Sequence, residues 1–471
     1  MAAIDIAIVI LALPTIDADL NTTPIVSIWT IMAYILVITV ISSQVGKIGD
    51  KYGREKIYNY GLVIFVVGSV LCGISPTIYF LIGFRMLQAV GGGMVSSNSS
   101  AVISDNFEPN KRGRAFGYTA IGWSLGSILG IILGGILATV NWRLIFLINL
   151  PVGLIVIPLS FSRLKNRAVQ GSQPLDIIGS ALLGIALTIL TIAAVSTTAV
   201  GFSSAVMISF AVSLLIFLIF TAWELRHKFP VIDFSIFRNR VFSFSSIAGM
   251  LLSTASFAVL FLLILYLQGV RGLNPLTSSL YLLPGYVIGM FAGPLSGRLS
   301  DRIGARVPAT IGLTFIILAY LLYAFFLSVS SPLYYVALIT IFSGVGAGFF
   351  YPANMSAIMA NAPKDKYGMA SGVTRTMNNI GMVLSFAVAL TVVSSAIPRS
   401  TALAIFAGSS LAVSGAEGVS FMHGLQSAFF VSSAIIVLTI ILSVARGHEV
   451  RSKGGSSNAE ARYESSSRDS G

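Results

Sequence analysis

Apolar residues along this chain gather into long unbroken blocks separated by short polar connections, with none of the alternation of half-buried strands. Fourteen blocks can be marked: Met1–Ile16, Ile25–Val45, Ile57–Ser75, Tyr79–Ser104, Ala115–Val140, Trp142–Phe161, Ile177–Thr197, Ser203–Trp223, Phe242–Leu267, Leu276–Ser296, Val307–Val329, Leu333–Ala360, Gly368–Ala396 and Leu425–Ala445. Most reach the roughly 20 residues that a helix needs to cross a hydrocarbon core of about 30 Å. A backbone in lipid must satisfy its own hydrogen bonds, and blocks this long suit helices rather than barrel strands. The expected fold class is an all-α polytopic membrane protein with fourteen transmembrane helices.

Composition agrees with the pattern. The chain is 55% hydrophobic and 10% charged, against roughly 25% charged in soluble domains. Its formal charge of +12 raises the question of nucleic acid, which the distribution of charge answers. Of the 29 Lys and Arg, 24 lie in the even-numbered connections and the tail, and three (Arg143, Arg271 and Arg399) in the odd-numbered ones. Arg85 and Arg375 fall inside blocks. Basic connections mark the cytoplasmic side, so both termini are expected inside and no nucleic acid is expected as a partner. The first block lacks a basic region before it and does not read as a cleavable signal. Residues 446–471, rich in Ser, Gly and charge, read as a disordered cytoplasmic tail.

An internal repeat gives the architecture. GKIGDKYGREK follows the second block and GRLSDRIGAR the tenth. Gly46, Asp50, Lys51 and Gly53 match Gly297, Asp301, Arg302 and Gly304 at one constant offset. Two copies at equivalent topological positions imply two parallel halves. The expected division is an N-terminal six-helix half over 1–161, an inserted helix pair with its flanking loops over 162–240, a C-terminal six-helix half over 241–445, and the tail. Glycines allow tight turns and close helix approach, and an Asp can cap a helix N-terminus or pair with a neighbouring cation. Gly46, Asp50, Gly53, Arg54, Gly297, Asp301, Arg302 and Gly304 are therefore the candidate gating residues.

These loops, with further segments, resemble the major facilitator superfamily in its branch of fourteen-helix drug:proton antiporters. GKIGDKYGREK is similar to the signature between helices 2 and 3, and LIGFRMLQAVGGGMV (residues 81–95) to the helix 4 signature with its membrane arginine, here Arg85. AAIDIAIVILALP (2–14) resembles the helix 1 motif with its acid at Asp5. NWRLIFLINLPVG (141–153) and YLQGVRGLNPLTSSLYLLP (266–284) resemble the start of helix 6 and the helix 9–10 connection. The likeness runs from residue 2 to about residue 396. It departs at Ile131, where the branch's helix 5 signature has proline, although Gly122, Gly126, Gly130 and Gly134 keep a small-residue packing face. Helix 1 also departs, because only four residues precede Asp5; about 10–20 further apolar residues encoded upstream would complete the span.

Ionisable residues inside spans are costly and so become functional candidates. Asp5 is the one carboxylate well inside a block, and the resemblance implies that it couples protons together with Arg85. A guanidinium stays charged, so Arg85 would act by tuning a carboxylate or ordering water. Arg375 stands near the cytoplasmic end of its block and reads as snorkelling to the interface. The candidate substrate cavity is lined by Gln44, Gln88, Asn98, Trp123, Tyr266, Gln268, Tyr351, Asn354, Asn378 and Asn379. Such a set, with aromatic rings and few charges, suits amphipathic or cationic compounds.

Enzyme signatures are missing from the sequence. It has no Walker A loop and no HExxH, and His227, His423 and His448 are far apart in topology. The single Cys72 lies in a block and builds no disulfide framework or metal cluster. Neither a cofactor nor a metal is expected. The leading expectation is a monomeric, multi-pass protein of the cell membrane that exports small molecules against protons by alternating access. The alternatives are a transporter of one specific solute, such as a metabolite or siderophore, and a transporter-like receptor or scaffold.

Overall fold

The computed structural model describes residues 9, 12–13, 15–108, 111–164, 174–232, 236–363, 366–396 and 416–447. Asp5, Arg399, His448 and most of the first block and the tail lie outside them. Residues 15–19 close the first helix, α1. There follow α2 (Trp29–Tyr52), α3 (Arg54–Gly73), α4 (Ile78–Asn106), α5 (Arg112–Val140) and α6 (Asn149–Arg163), the last entered through a helical turn at Leu144–Leu147. Then come α7 (Ile177–Val200), α8 (Ser204–Arg226), α9 (Arg240–Leu265), α10 (Pro275–Ile303), α11 (Arg306–Phe326), α12 (Tyr334–Ala360), α13 (Tyr367–Ala396) and α14 (Ala416–Ala445). Among the described residues the regular structure is helical, and twelve helices are long and apolar enough to cross a membrane. α13 is as long as any of them but interrupts its apolar run with Thr374, Arg375, Thr376, Asn378 and Asn379.

Polar side chains set several helix starts where the chain turns at the membrane surface. The side chains of Asp176, Ser203, Asn239 and Asn274 accept from Gly179, Val206, Phe242 and Thr277 N–H at 2.7, 3.4, 3.1 and 2.7 Å. Each satisfies an amide that the helix leaves unpaired. Pro275 then occupies the first turn of α10, where its missing N–H costs nothing.

The two repeat segments are not loops. α2 runs through Lys51 to Tyr52 and α10 through Arg302 to Ile303, so each helix carries its motif on a last turn beyond the apolar block. Hydropathy reports where lipid ends, whereas the backbone ladder continues until something breaks it. The break is one glycine in each case, Gly53 at φ 103° and Gly304 at φ 92°, a left-handed region that disfavours residues with a Cβ.

Packing follows the repeat. α3 lies along α4, and α10 and α11 along α12, while the long contacts across the molecule pair α2 with α13 and α5 with α10. α7 packs on α8 and also touches both α2 and α13. At the basic end of α2 the α7–α8 pair is held by polar groups. Gln44 Nε2 donates to the Asp176 carbonyl at 3.0 Å and to Ser180 Oγ at 3.1 Å. Ser43 Oγ donates to the Val231 carbonyl, and buried Lys47 to the carbonyls of Pro230 and Phe229. Glu224, also buried, accepts from the Val231 and Ile232 amides at 3.2 and 2.8 Å. The segment after α8 is thus seated on α2 through its backbone. Lys47→Met should leave two half-buried carbonyls without this donor and cost about 1 kcal/mol. The check is thermal unfolding of the purified protein; an unchanged midpoint would show that this segment is not held by Lys47.

Candidate functional site

The basic face carries a pair of matching contacts between the N-terminal and C-terminal helices. Asp50, on the last turn of α2, accepts from Gly368 N–H at 2.9 Å and Met369 N–H at 2.8 Å, the first amides of α13. Asp301, on the last turn of α10, accepts from Gly113 N–H at 2.8 Å and Arg114 N–H at 2.9 Å, the first amides of α5. Each carboxylate therefore caps a helix from the other side of the repeat, where unpaired amides and the helix dipole favour a negative charge. The backbones meet closely beside each cap. A Cβ on Gly46 would collide with the Gly368 carbonyl, and one on Gly297 with the Gly113 carbonyl.

The two copies differ in their support. Arg54 is buried and bridges two acids: its Nε donates to Asp50 Oδ1 at 2.7 Å, and its Nη1 reaches both Asp105 oxygens at 2.7 and 2.6 Å. Ala305 takes the matching position in the second copy, and Arg302 there is exposed. Tyr367, at the start of α13, lies between the guanidinium groups of Arg54 and Arg112, 5.5 and 5.0 Å from its ring centre. Arg112 is itself fixed to the Ser104 carbonyl at 2.7 Å. Neither Asp105, Arg112 nor Tyr367 stands out in the sequence as part of this contact; the constant offset of the repeat marks the caps but not what braces them.

On the opposite face Asp19 Oδ2 accepts from Trp142 Nε1 at 2.9 Å and Arg143 Nη1 at 2.6 Å. The Trp142 and Arg143 hydrogen bonds hold the Asp19 carboxyl below the usual carboxylate range. It is exposed, so this is a tether between α1 and the α5–α6 connection rather than a buried switch.

Between the faces, the sequence-selected residues separate into groups. Arg85 is buried on α4; its Nε donates to the Thr30 carbonyl at 3.0 Å, its Nη1 to Gln88 Oε1 at 2.7 Å, and its guanidinium lies 4.2 Å from the Tyr34 ring centre. Gln88 continues to Ser69 Oγ at 2.9 Å, which Asn149 Nδ2 also reaches at 2.9 Å. Tyr351, Asn354, Asn378 and Asn379 gather on α12 and α13. The Asn354 and Asn378 side chains approach the same glycine, Gly249 of α9, and Tyr351 hydrogen-bonds the Ser253 side chain. Arg375 belongs to this group. It stands within electrostatic range of Tyr34 of α2 and Tyr351 of α12, because the rotation of α13 turns residue 375 inward rather than toward the surface.

Other candidates serve packing. Gln44 holds α7, as described above, and Asn98 fills the space left by Gly49 on α2. Tyr266 is fully buried in a π-helical turn, Tyr266–Val270, with its hydroxyl donating to the Ser328 carbonyl at 2.9 Å. Gln268 lies in the same turn, and Trp123 stands half exposed on α5. The arrangement is two helical sets joined by paired caps on one face, with polar and aromatic side chains between them.

A family model described as Major Facilitator Superfamily matches residues 1–386. The chain belongs to the Major Facilitator Superfamily. Within it, the chain is 30% identical over 389 residues to the riboflavin transporter RibZ of Clostridioides difficile (strain 630), covering 82% of this chain and 84% of that one. It is 32% identical over 395 residues to the multidrug resistance protein Stp of Mycobacterium tuberculosis (strain CDC 1551 / Oshkosh), covering 82% and 72%. Among solved structures the proton:xylose symporter XylE superposes with a TM-score of 0.62 at 10% identity, over 96% of this chain and 95% of that one, a likeness of fold. The protein is thus a multi-pass transporter of the cell membrane and not an enzyme.

Proposed function

We propose that this transporter exports amphipathic compounds from the cell in exchange for protons, by alternating access between two six-helix halves. The observation that carries the reading is the pair of carboxylate caps. Both lie on one face and both join helices on opposite sides of the repeat, contacts that rigid-body rocking of the two halves would break. In this arrangement the cytoplasmic face is closed by Asp50 and Asp301, which act as gate contacts with the glycines beside them. Arg85, Tyr351, Asn354, Asn378 and Asn379 then stand behind that gate, where a substrate opposite would find them. Multidrug resistance among the relatives supports export, and the name of the riboflavin transporter favours a second reading, movement of one aromatic solute. Proton coupling through Asp5 rests on the family resemblance alone.

The test is movement of a panel of lipophilic dyes into inverted vesicles, with and without an imposed pH gradient. Uptake of several unrelated dyes that collapses with the gradient is expected. Transport of riboflavin alone would replace polyspecific export by the second reading, and gradient-independent movement would remove the proton. The orientation is tested separately. Single cysteines at Lys51, Lys165 and Arg302 should label from the cytoplasm, and those at Thr22, Gly201 and Asn274 from outside. Cytoplasmic labelling at Gly201 would overturn the inserted-pair topology.

A further inference from the structure

Arg375 makes no hydrogen bond or ion pair among the described residues, although it sits nine residues into α13, about 12 Å along the helix from its start at the gate. A guanidinium within a membrane protein normally finds a carboxylate, a carbonyl or an aromatic face, as Arg85 does four ways with Thr30, Gln88, Tyr34 and Phe146. Arg375 instead remains partly exposed. One helical turn further on, Asn379 is 6% exposed and its Nδ2 has no acceptor. Positions 375 and 379 share one face of α13, so an accessible guanidinium and an orphaned amide donor point from that face. Their surroundings are interior. Tyr34 comes from the N-terminal helices, Tyr351 from the C-terminal ones, and Thr376 beside them donates to the Thr39 carbonyl of α2 at 3.1 Å. Tyr351 keeps 43% of its surface exposed while bonded to Ser253 inside the bundle, which marks open space between the helices at this level.

We propose that Arg375, with Asn379, is the anchor for the acidic group of the transported compound, and that the substrate class is an organic monoanion with a flat or apolar body laid against Tyr351. Orphaned donors call for acceptors. A carboxylate presents two oxygens that match the guanidinium fork, whereas a cation would approach two arginines, Arg85 and Arg375, across Tyr34. The inference rests on the transport reading above and narrows it away from cationic compounds.

The test uses the full chain in lipid nanodiscs and three xanthene dyes of one ring system: a carboxylate, its methyl ester, and a quaternary ammonium derivative. Equilibrium binding is followed by fluorescence anisotropy. The carboxylate should bind at least tenfold tighter than either analogue. Arg375→Gln should remove that preference, and a thermal unfolding midpoint matching wild type should show that the variant is folded. Arg375→Lys should keep part of the preference, and Asn379→Asp, which supplies an internal carboxylate one turn away, should lose it. A carboxylate bound no better than its ester, or equally well by wild type and Arg375→Gln, overturns the proposal. Gradient-driven export without this anion preference defeats the anchor and leaves the transport reading standing. Anion binding without gradient-driven movement supports the anchor and defeats the transport reading.

Discussion

Gly46→Val is expected to abolish transport in a protein that still folds and reaches the membrane, and Gly297→Val to be equally severe. At both positions an added Cβ meets a backbone carbonyl of the other half, Gly368 or Gly113, which cannot step aside without moving its helix. Overpacking of this kind costs about 1–3 kcal/mol. In the proposed cycle the whole cost falls on the state in which this face is closed, because opening would separate the two backbones. At roughly 1.4 kcal/mol per factor of ten, the closed-to-open ratio drops by about 5- to 150-fold. Spin labels at Lys51 and Lys366 should report a wider separation in Gly46→Val than in wild type. Wild-type transport by a normally expressed Gly46→Val protein would show that this close approach is not part of the cycle.

Asp50→Asn is expected to slow transport more than Asp301→Asn. Both substitutions keep one oxygen for a helix amide and lose the charge and the second acceptor. Hydrogen bonds to charged groups are worth about 1.5–3 kcal/mol each, so losing one should slow transport about 10- to 100-fold if closure limits the cycle. The Asp50 change does further harm. Arg54, buried between Asp50 and Asp105, is left with one acid for its charge. The matching position beside Asp301 is Ala305, and the cation that acts on Asp301 is Arg114, which is exposed rather than buried. Initial rates of dye efflux, normalised to protein in the membrane, measure the difference. Equal losses in the two variants would mean that the Arg54 brace adds nothing to the gate.

The helical architecture was readable because lipid imposes one length and one polarity on every span, and both are written in composition. The repeat was readable for a different reason: Gly46, Asp50 and Gly53 return at constant spacing as Gly297, Asp301 and Gly304. What those carboxylates touch was not. Asp50 meets Gly368 across 318 positions, and its partners are backbone amides, which any residue could supply. The interior is less legible, because residue identity has to stand in for orientation there. Gln44 and Asn98 have the polarity of cavity residues, but α2 turns the first toward α7 and α4 turns the second toward Gly49. Distance from the end of the apolar block places Arg375 at the interface, but that measure of depth carries no information about helix rotation.

The inserted pair has a consequence for how a compound dissolved in the bilayer could reach the interior. Two seams separate the halves, one along α2 and α13 and the other along α5 and α10. α7 lies over the first and touches both of its helices; Ile28, Met32, Thr191, Ala194, Val195, Val383 and Ala387 leave only a small apolar gap where the three meet. Among the described residues the second seam is touched by α12, which contacts both α5 and α10, and not by the α7–α8 pair to any comparable extent. The two flanks therefore present different helices to a lipid-borne molecule, α7 beside the first seam and α5 with α10 at the second.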